Sequence, residues 1–177
     1  DYPAEALNAQ AICARTYAYG RMEHAGYPQY GAHVDDSTSY QVYNNVGEQE
    51  GSTTAVKETY GKLLFTEGGG LAETFYYSTS CGAGSDANVW KTEAAPTLTY
   101  LKARPLNRRA MTEAVAAMAS GSPVGEADFG ERMRDEDTFA AFISGRNEDD
   151  FEAAEGWYRW SCQVEALDKD GMLQRLQ

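Results

Sequence analysis

Apolar positions recur at helical spacing from the start of the chain. Ala4, Leu7, Ala11, Ala14 and Ala18 fall three or four residues apart and make a narrow stripe of small side chains. Pro3 suits the first turn of a helix and Gly20 its end, so the pattern predicts a helix from about residue 3 to Tyr19. A stripe this narrow lets a neighbouring element approach closely. Glu5, Asn8, Ile12 and Arg15 step along an adjacent face, so a carboxylate, an amide and a guanidinium line one side of the helix.

Beyond Gly20 the periodicity stops, and residues 20–39 read as a long loop. SYQVYNNV (39–46) alternates as a strand does. TTAVKETYG (53–61) reads as a short helix closed by Gly61 and capped by Ser52 or Thr53. KLLFTEGGGLAETFYYSTS (62–80) reads as a hairpin turning at 68–70, with Phe75 and Tyr77 on one face of its second strand, which ends in the polar loop SCGAGSDANVW. From 104 to 156 the character changes. AMTEAVAAMA (110–119) and EDTFAAFI (136–143) are amphipathic helix patterns, followed by an acidic cluster in NEDDFEAAE (147–155). WYRWSCQVEAL (157–167) then reads as a strand and DKDGMLQRLQ (168–177) as a terminal helix. Strands and helices in mixed order, without βαβ alternation, predict an α+β fold: a long N-terminal helix packed on mixed or antiparallel strands. The whole, residues 1–177, reads as a single domain with a helical insertion at about 104–156.

Charge narrows the partners. Asp plus Glu is 27 against 15 Lys plus Arg, a net charge of −12, which argues against a nucleic-acid partner. It argues equally against adhesion to an anionic cell wall by the net field. A glycan would be held by local hydrogen bonds and aromatic faces, for which the chain has 12 tyrosines. Cys13, Cys81 and Cys162 form no CxxC pair, and His24 and His33 stand far from them in sequence, so neither a zinc site nor a cofactor is expected. One disulfide stays open but cannot be paired from sequence. No apolar run reaches the roughly 20 residues of a membrane span. The opening in mid-pattern, without an initiator Met or a secretory signal, predicts a chain trimmed at its N-terminus, so any membrane attachment is expected through an anchor upstream.

Four stretches in order carry a family resemblance. PAEALNAQAICARTYAYG (3–20) resembles the block P-x-E-A-L-K-A-Q-A-x-A-A-R-T-Y of the stage II sporulation protein D and amidase-enhancer family. YQVYNNVGEQEGSTTAVKETYGKLL (40–64) resembles the family's Q-x-Y followed by A-V-x-x-T-x-G-x-x-L. FYYSTSCGAGSDANVW (75–90) resembles its strand ending in S-T-S-C/G-G with a later Val-Trp, and Tyr100-Leu101 with WYRWSCQVEALDKDGMLQRL (157–176) its closing strand and helix. The first block is specific; the others gain weight from their order.

The resemblance implies an extracytoplasmic domain, cell-surface or membrane-anchored in a Gram-positive-type bacterium, that works on peptidoglycan glycan strands. Sporulation members imply a lytic transglycosylase that cleaves MurNAc–GlcNAc bonds and leaves 1,6-anhydro-MurNAc ends. The sister branch implies a non-catalytic wall-binding module that enhances an amidase. In the former, one carboxyl group serves first as acid to the leaving oxygen and then as base toward the sugar's own C6 hydroxyl, so no second carboxylate is needed. The family's acid is expected in a Glu-Met pair just upstream of the first block, before Asp1. Glu5 is the nearest carboxylate in the chain, either as that acid or as a first-turn partner of the helix dipole. Arg15 falls on the family's arginine, either to hold substrate or acid or to make a structural ion pair. Asn8 stands where the family has lysine. Ser80 and Cys81 fall on its strand-end pair and are expected to touch substrate or pack the loop. Tyr158 and Arg159 are expected either to line a sugar surface or to join the core. Relatives that bind zinc use a His and a later Cys where this chain has Tyr77 and Ala83, so no metal is expected.

Overall fold

The computed structural model of the chain describes residues 2–23, 26–89, 98–122 and 128–161. The chain divides into two compact units, residues 1–77 and 78–177. It is α+β, with five α-helices and one small antiparallel sheet among the described residues.

The first unit is built on α1 (Ala4–Arg21), which starts after Pro3 as expected. It does not stop at Gly20. The helix runs on to Arg21, and the glycine serves packing instead: a Cβ there would lie 3.2 Å from Leu71 Cδ2. Against α1 packs α2 (Glu50–Glu58). Leu7 Cδ1 would stand 3.2 Å from a Cβ on Gly51, so the approach promised by the small-residue stripe is completed by a glycine on the partner helix. Helix α2 begins three residues earlier than the sequence pattern suggests. Ser52 and Thr53 are not its caps but lie in its first turn, where their hydroxyls donate to Gln49 O (2.9 Å) and Glu48 Oε2 (3.0 Å). Gly61 follows in the left-handed region at φ 73°, just after the helix ends.

Threonines fill much of this unit's interior. Thr16, Thr59 and Thr74 are buried, as is Ala55, whose carbonyl accepts from Thr59 Oγ1 (2.7 Å). Thr16 Oγ1 donates to Ile12 O (2.7 Å) and accepts from Leu64 N (3.1 Å), while Thr74 Oγ1 donates to Cys13 O (2.8 Å). Each buried hydroxyl is therefore satisfied, and these two fasten distant segments to α1, each bond contributing roughly 0.5–1.5 kcal/mol.

The expected hairpin is present but short. Phe65 faces Leu71 in a bridge, flanked by Thr66 N→Gly70 O and Ala72 N→Leu64 O. Beyond it residues 73–78 join no ladder. Nor do 39–46 form a strand: Asn45 turns into the left-handed region at φ 49°, and Gln41 spends its amide on Ala14 O (3.4 Å) and accepts from Tyr76 Oη (2.5 Å).

In the second unit β1 (Ala83–Gly84) pairs antiparallel with β2 (Arg104–Pro105), Ala83 opposite Pro105. Three helices follow: α3 (Arg108–Ser120), α4 (Phe129–Arg132) and α5 (Glu136–Ser144). Both helical patterns read in 104–156 are real and gain a residue or two at their ends. Asn107 caps α3 by accepting from Ala110 N (2.8 Å), and Asp135 caps α5 by accepting from Thr138 N (2.9 Å). Phe129 is buried edge-on against Phe142, with ring centroids 6.0 Å apart. The described start of the expected strand, 157–161, is a turn instead, because its side chains bond to carbonyls and a carboxylate from other segments. The rest of that strand and the terminal helix 168–177 lie outside the described residues.

Candidate functional site

The N-terminal half of α1 and α2 enclose a groove of about 650 Å3, lined by Tyr2, Leu7, Asn8, Glu50, Thr54 and Glu58 among others. Tyr2 presents an exposed ring there, and Glu50 and Glu58 are exposed carboxylates. Asn8 Oδ1 points away from water: it is buried and accepts no hydrogen bond. Glu5 stands exposed in the first turn of α1, and the groove is lined from this helix by Ala4, Leu7 and Asn8 rather than by Glu5.

Arg15 is on the same helix but does not meet Glu5 in any bond described here. Its guanidinium reaches the C-terminal end of α2, donating to Thr59 O (2.7 Å), Val56 O (3.2 Å), Lys62 O (3.2 Å) and Thr59 Oγ1 (3.2 Å). The end of a helix leaves carbonyls without partners and carries partial negative charge, so a cation here satisfies both needs. The same helix end forms one wall of the groove through Glu58.

In the second unit Ser80, Cys81, Tyr158 and Arg159 come together. Arg159 is the hub. It donates to Cys81 O (2.9 Å), Phe142 O (2.5 Å) and Gly145 O, pairs with Asp150 Oδ2 at 3.1 Å, and lies over the rings of Phe142 (4.4 Å) and Tyr158 (4.7 Å). Asp150, only 1% exposed, also accepts from Tyr158 Oη and from Asn147 Nδ2 (2.8 Å). Burial, and then the carboxylate beside it, push the Tyr158 hydroxyl above its ordinary range. Ser80 donates to Glu152 Oε2 (2.7 Å) and accepts from Gly82 N (3.2 Å). Ser80 and Tyr158 are buried, and Arg159 turns its guanidinium inward; Cys81 and Arg159 are partly exposed as residues. Cys13 and Cys81 are free thiols, and burial raises the Cys13 thiol. Among the described residues no three metal-ligating side chains cluster, and no helix is long and apolar enough to cross a membrane.

Residues 1–65, which carry α1, α2 and the whole lining of the groove, match the family described as stage II sporulation protein. Stage II sporulation protein D of Bacillus amyloliquefaciens is 34% identical over 116 residues, covering 58% of this chain and 33% of the relative. Over those residues the chain is similar to that family. An uncharacterized protein of Brachyspira hyodysenteriae is 38% identical over 89 residues, covering 49% of this chain and 23% of its own length. An amidase enhancer of Bacillus subtilis is 35% identical over 88 residues, covering 49% of this chain and 11% of its own. The chain thus spans a third or less of each of these relatives. No solved structure matches it.

Within the matched segment, Glu50 and Glu58 are not singled out by the motifs of the sequence. The signal was present: Glu50, Thr54 and Glu58 follow at four-residue steps and share one helix face. Starting α2 at the hydroxyls of Ser52 and Thr53 put Glu50 in the preceding loop and hid that face.

Proposed function

We propose that this chain is a cell-wall domain of the stage II sporulation protein D kind, acting outside the cytoplasmic membrane on peptidoglycan glycan strands. It cleaves the MurNAc–GlcNAc bond by lytic transglycosylation. The observation behind the reading is the α1–α2 groove, whose entire lining falls within the family-matched residues and offers an aromatic face, amides, hydroxyls and carboxylates. Tyr2 stacks on a pyranose ring, and Asn8, Ser52 and Thr54 bond its hydroxyls. Glu5 is the acid that protonates the leaving oxygen and then, as carboxylate, takes the C6 hydroxyl proton while O6 closes on C1. Arg15 acts as a positioning residue, holding the end of α2 that bears Glu58. In the second unit, buried Ser80, Tyr158 and Arg159 fix the loop on which Cys81 meets substrate.

A second reading, a wall-binding module that enhances an amidase, is favoured by one feature: Glu5, Glu50 and Glu58 are all open to water, as suits a binding surface. Incubation with peptide-stripped glycan strands, followed by mass spectrometry, separates the two. Products ending in 1,6-anhydro-MurNAc, lost in Glu5→Gln, support the enzyme with the assigned acid. The same products lost in Glu50→Gln or Glu58→Gln move the acid to α2, on the lining of the groove. Products formed solely by a longer polypeptide reaching upstream of Asp1 assign it to the family's Glu-Met pair. Glycan retained without cleavage by any form overturns the enzyme and leaves the enhancer.

A further inference from the structure

The second unit holds a pocket of about 510 Å3 between β2, α3, α4 and Phe142, within the roughly 300–1,000 Å3 of small-ligand sites. Its floor is apolar, formed by Phe129 and Met133 among others, and its rim carries Arg104, Arg109 and Arg132. That charge runs against the rest of the molecule. Six of the chain's 15 basic residues fall between Lys102 and Arg134, although the net charge is −12. One acid, Glu113, also lines the pocket and pairs with Arg109 at 2.9 Å across exposed surface. Arg132 in turn stands 3.9 Å from Asp128 Oδ2, also across exposed surface. Surface ion pairs of this kind are weak and open readily to a competing ligand.

We propose that this pocket binds a short peptide bearing both a free carboxylate and a free amine. The arginines take the carboxylate, for which their planar fork is suited. Glu113 takes the amine, and Phe129 and Met133 receive small apolar side chains. A simple fatty acid satisfies the floor and the arginines but has no group for Glu113. The stem peptides of peptidoglycan have the required chemistry: a terminal carboxylate, a diamino residue and alanine methyl groups. The choice of this peptide rests on the cell-wall reading above; the charge pattern of the pocket does not.

The test titrates the whole chain with the pentapeptide L-Ala-γ-D-Glu-L-Lys-D-Ala-D-Ala by calorimetry or NMR. Saturable binding is expected with a dissociation constant below about 1 mM. Arg132→Gln, at an exposed side chain, weakens it about ten-fold, as loss of one charge-assisted contact does. A pentapeptide with an amidated C-terminus binds with similar loss, and Met133→Trp, which fills the floor, abolishes binding while the melting temperature shows the fold intact. Absence of saturable binding, or binding indifferent to amidation and to both substitutions, overturns the proposal. Glycan cleavage and glycan retention measured on the same preparations stand apart from this result. Their failure with peptide binding intact removes the cell-wall reading alone; peptide failure with glycan activity intact removes the pocket alone.

Discussion

At Gly82 the backbone turns into the left-handed region at φ 93°, and a Cβ there would collide with Asp150 Oδ2. No rotamer change relieves that contact, because Asp150 is fixed by Tyr158, Arg159 and Asn147. Gly82→Ala is therefore expected to destabilise the protein well beyond the roughly 1–2 kcal/mol of left-handed strain alone, read as a shift of the denaturation midpoint. Asp150→Ala leaves a buried guanidinium without its counter-ion and is expected to cost about 3–5 kcal/mol. Replacing the Asp150–Arg159 pair together should cost less than the sum of the two single changes, which a double-mutant cycle measures. Asp135 shows a different dependence, set by pH. Hydrogen bonds from Thr138, hydroxyl first and backbone amide second, hold its carboxyl below the ordinary range. A carboxyl with a lowered folded-state pKa stabilises above its unfolded value, near 3.9, and that contribution disappears as pH falls through the folded value. Asp135→Ala should accordingly lower the melting temperature at pH 7 and have little effect near pH 2. Of these residues, the sequence revealed Tyr158 and Arg159 and left open whether they line a surface or join the core; the structure turns them inward. That direction depends on Asp150, one acid among 27, and no local pattern marks it out.

Helices proved more legible than strands, and the reason is physical. A helix satisfies its own backbone, so the spacing of Ala4, Leu7 and Ala11 or the pattern 136–143 is enough to announce it. A strand needs a partner supplied by distant sequence, and the alternation in 39–46 and 157–161 found none. Buried hydroxyls and Arg159 supply the cross-chain bonds there instead. The ends of helices were the less certain part: Gly20 looked like a stop and is a packing contact, while α2 starts upstream of the hydroxyls that resembled caps. Arg15 belongs to this level, since it binds the end of a helix. Arg15→Ala is expected to cost about 1–3 kcal/mol through carbonyls left with water or with nothing. Arg15→Lys should restore part of that and not the whole, because a point charge cannot reach three carbonyls at once. Amide exchange at the end of α2, faster in both variants than elsewhere in the first unit, locates the effect.

For the molecule as a whole, a net charge of −12 means that the proposed binding to an anionic wall has to depend on local contacts rather than on its field. Retention on peptide-stripped glycan should consequently change less than two-fold between about 50 and 300 mM salt, a range over which field-driven binding collapses. A steep loss of retention with salt would assign the contact to a cationic patch instead. The two units also differ in how far along the chain their stabilising contacts reach. The bonds of Arg15 close spans of 41 to 47 residues, and all lie within the first 77. Arg159 closes a span of 78 to reach Cys81. During synthesis, then, the helix pair can assemble while most of the second unit is still unmade. The second unit has to wait for its hub, and until residue 159 emerges Asp150 is an acid without its counter-ion and the Cys81 loop has nothing to hold it. Chaperones and proteases that meet the nascent chain would find that late-closing half far longer than the early one.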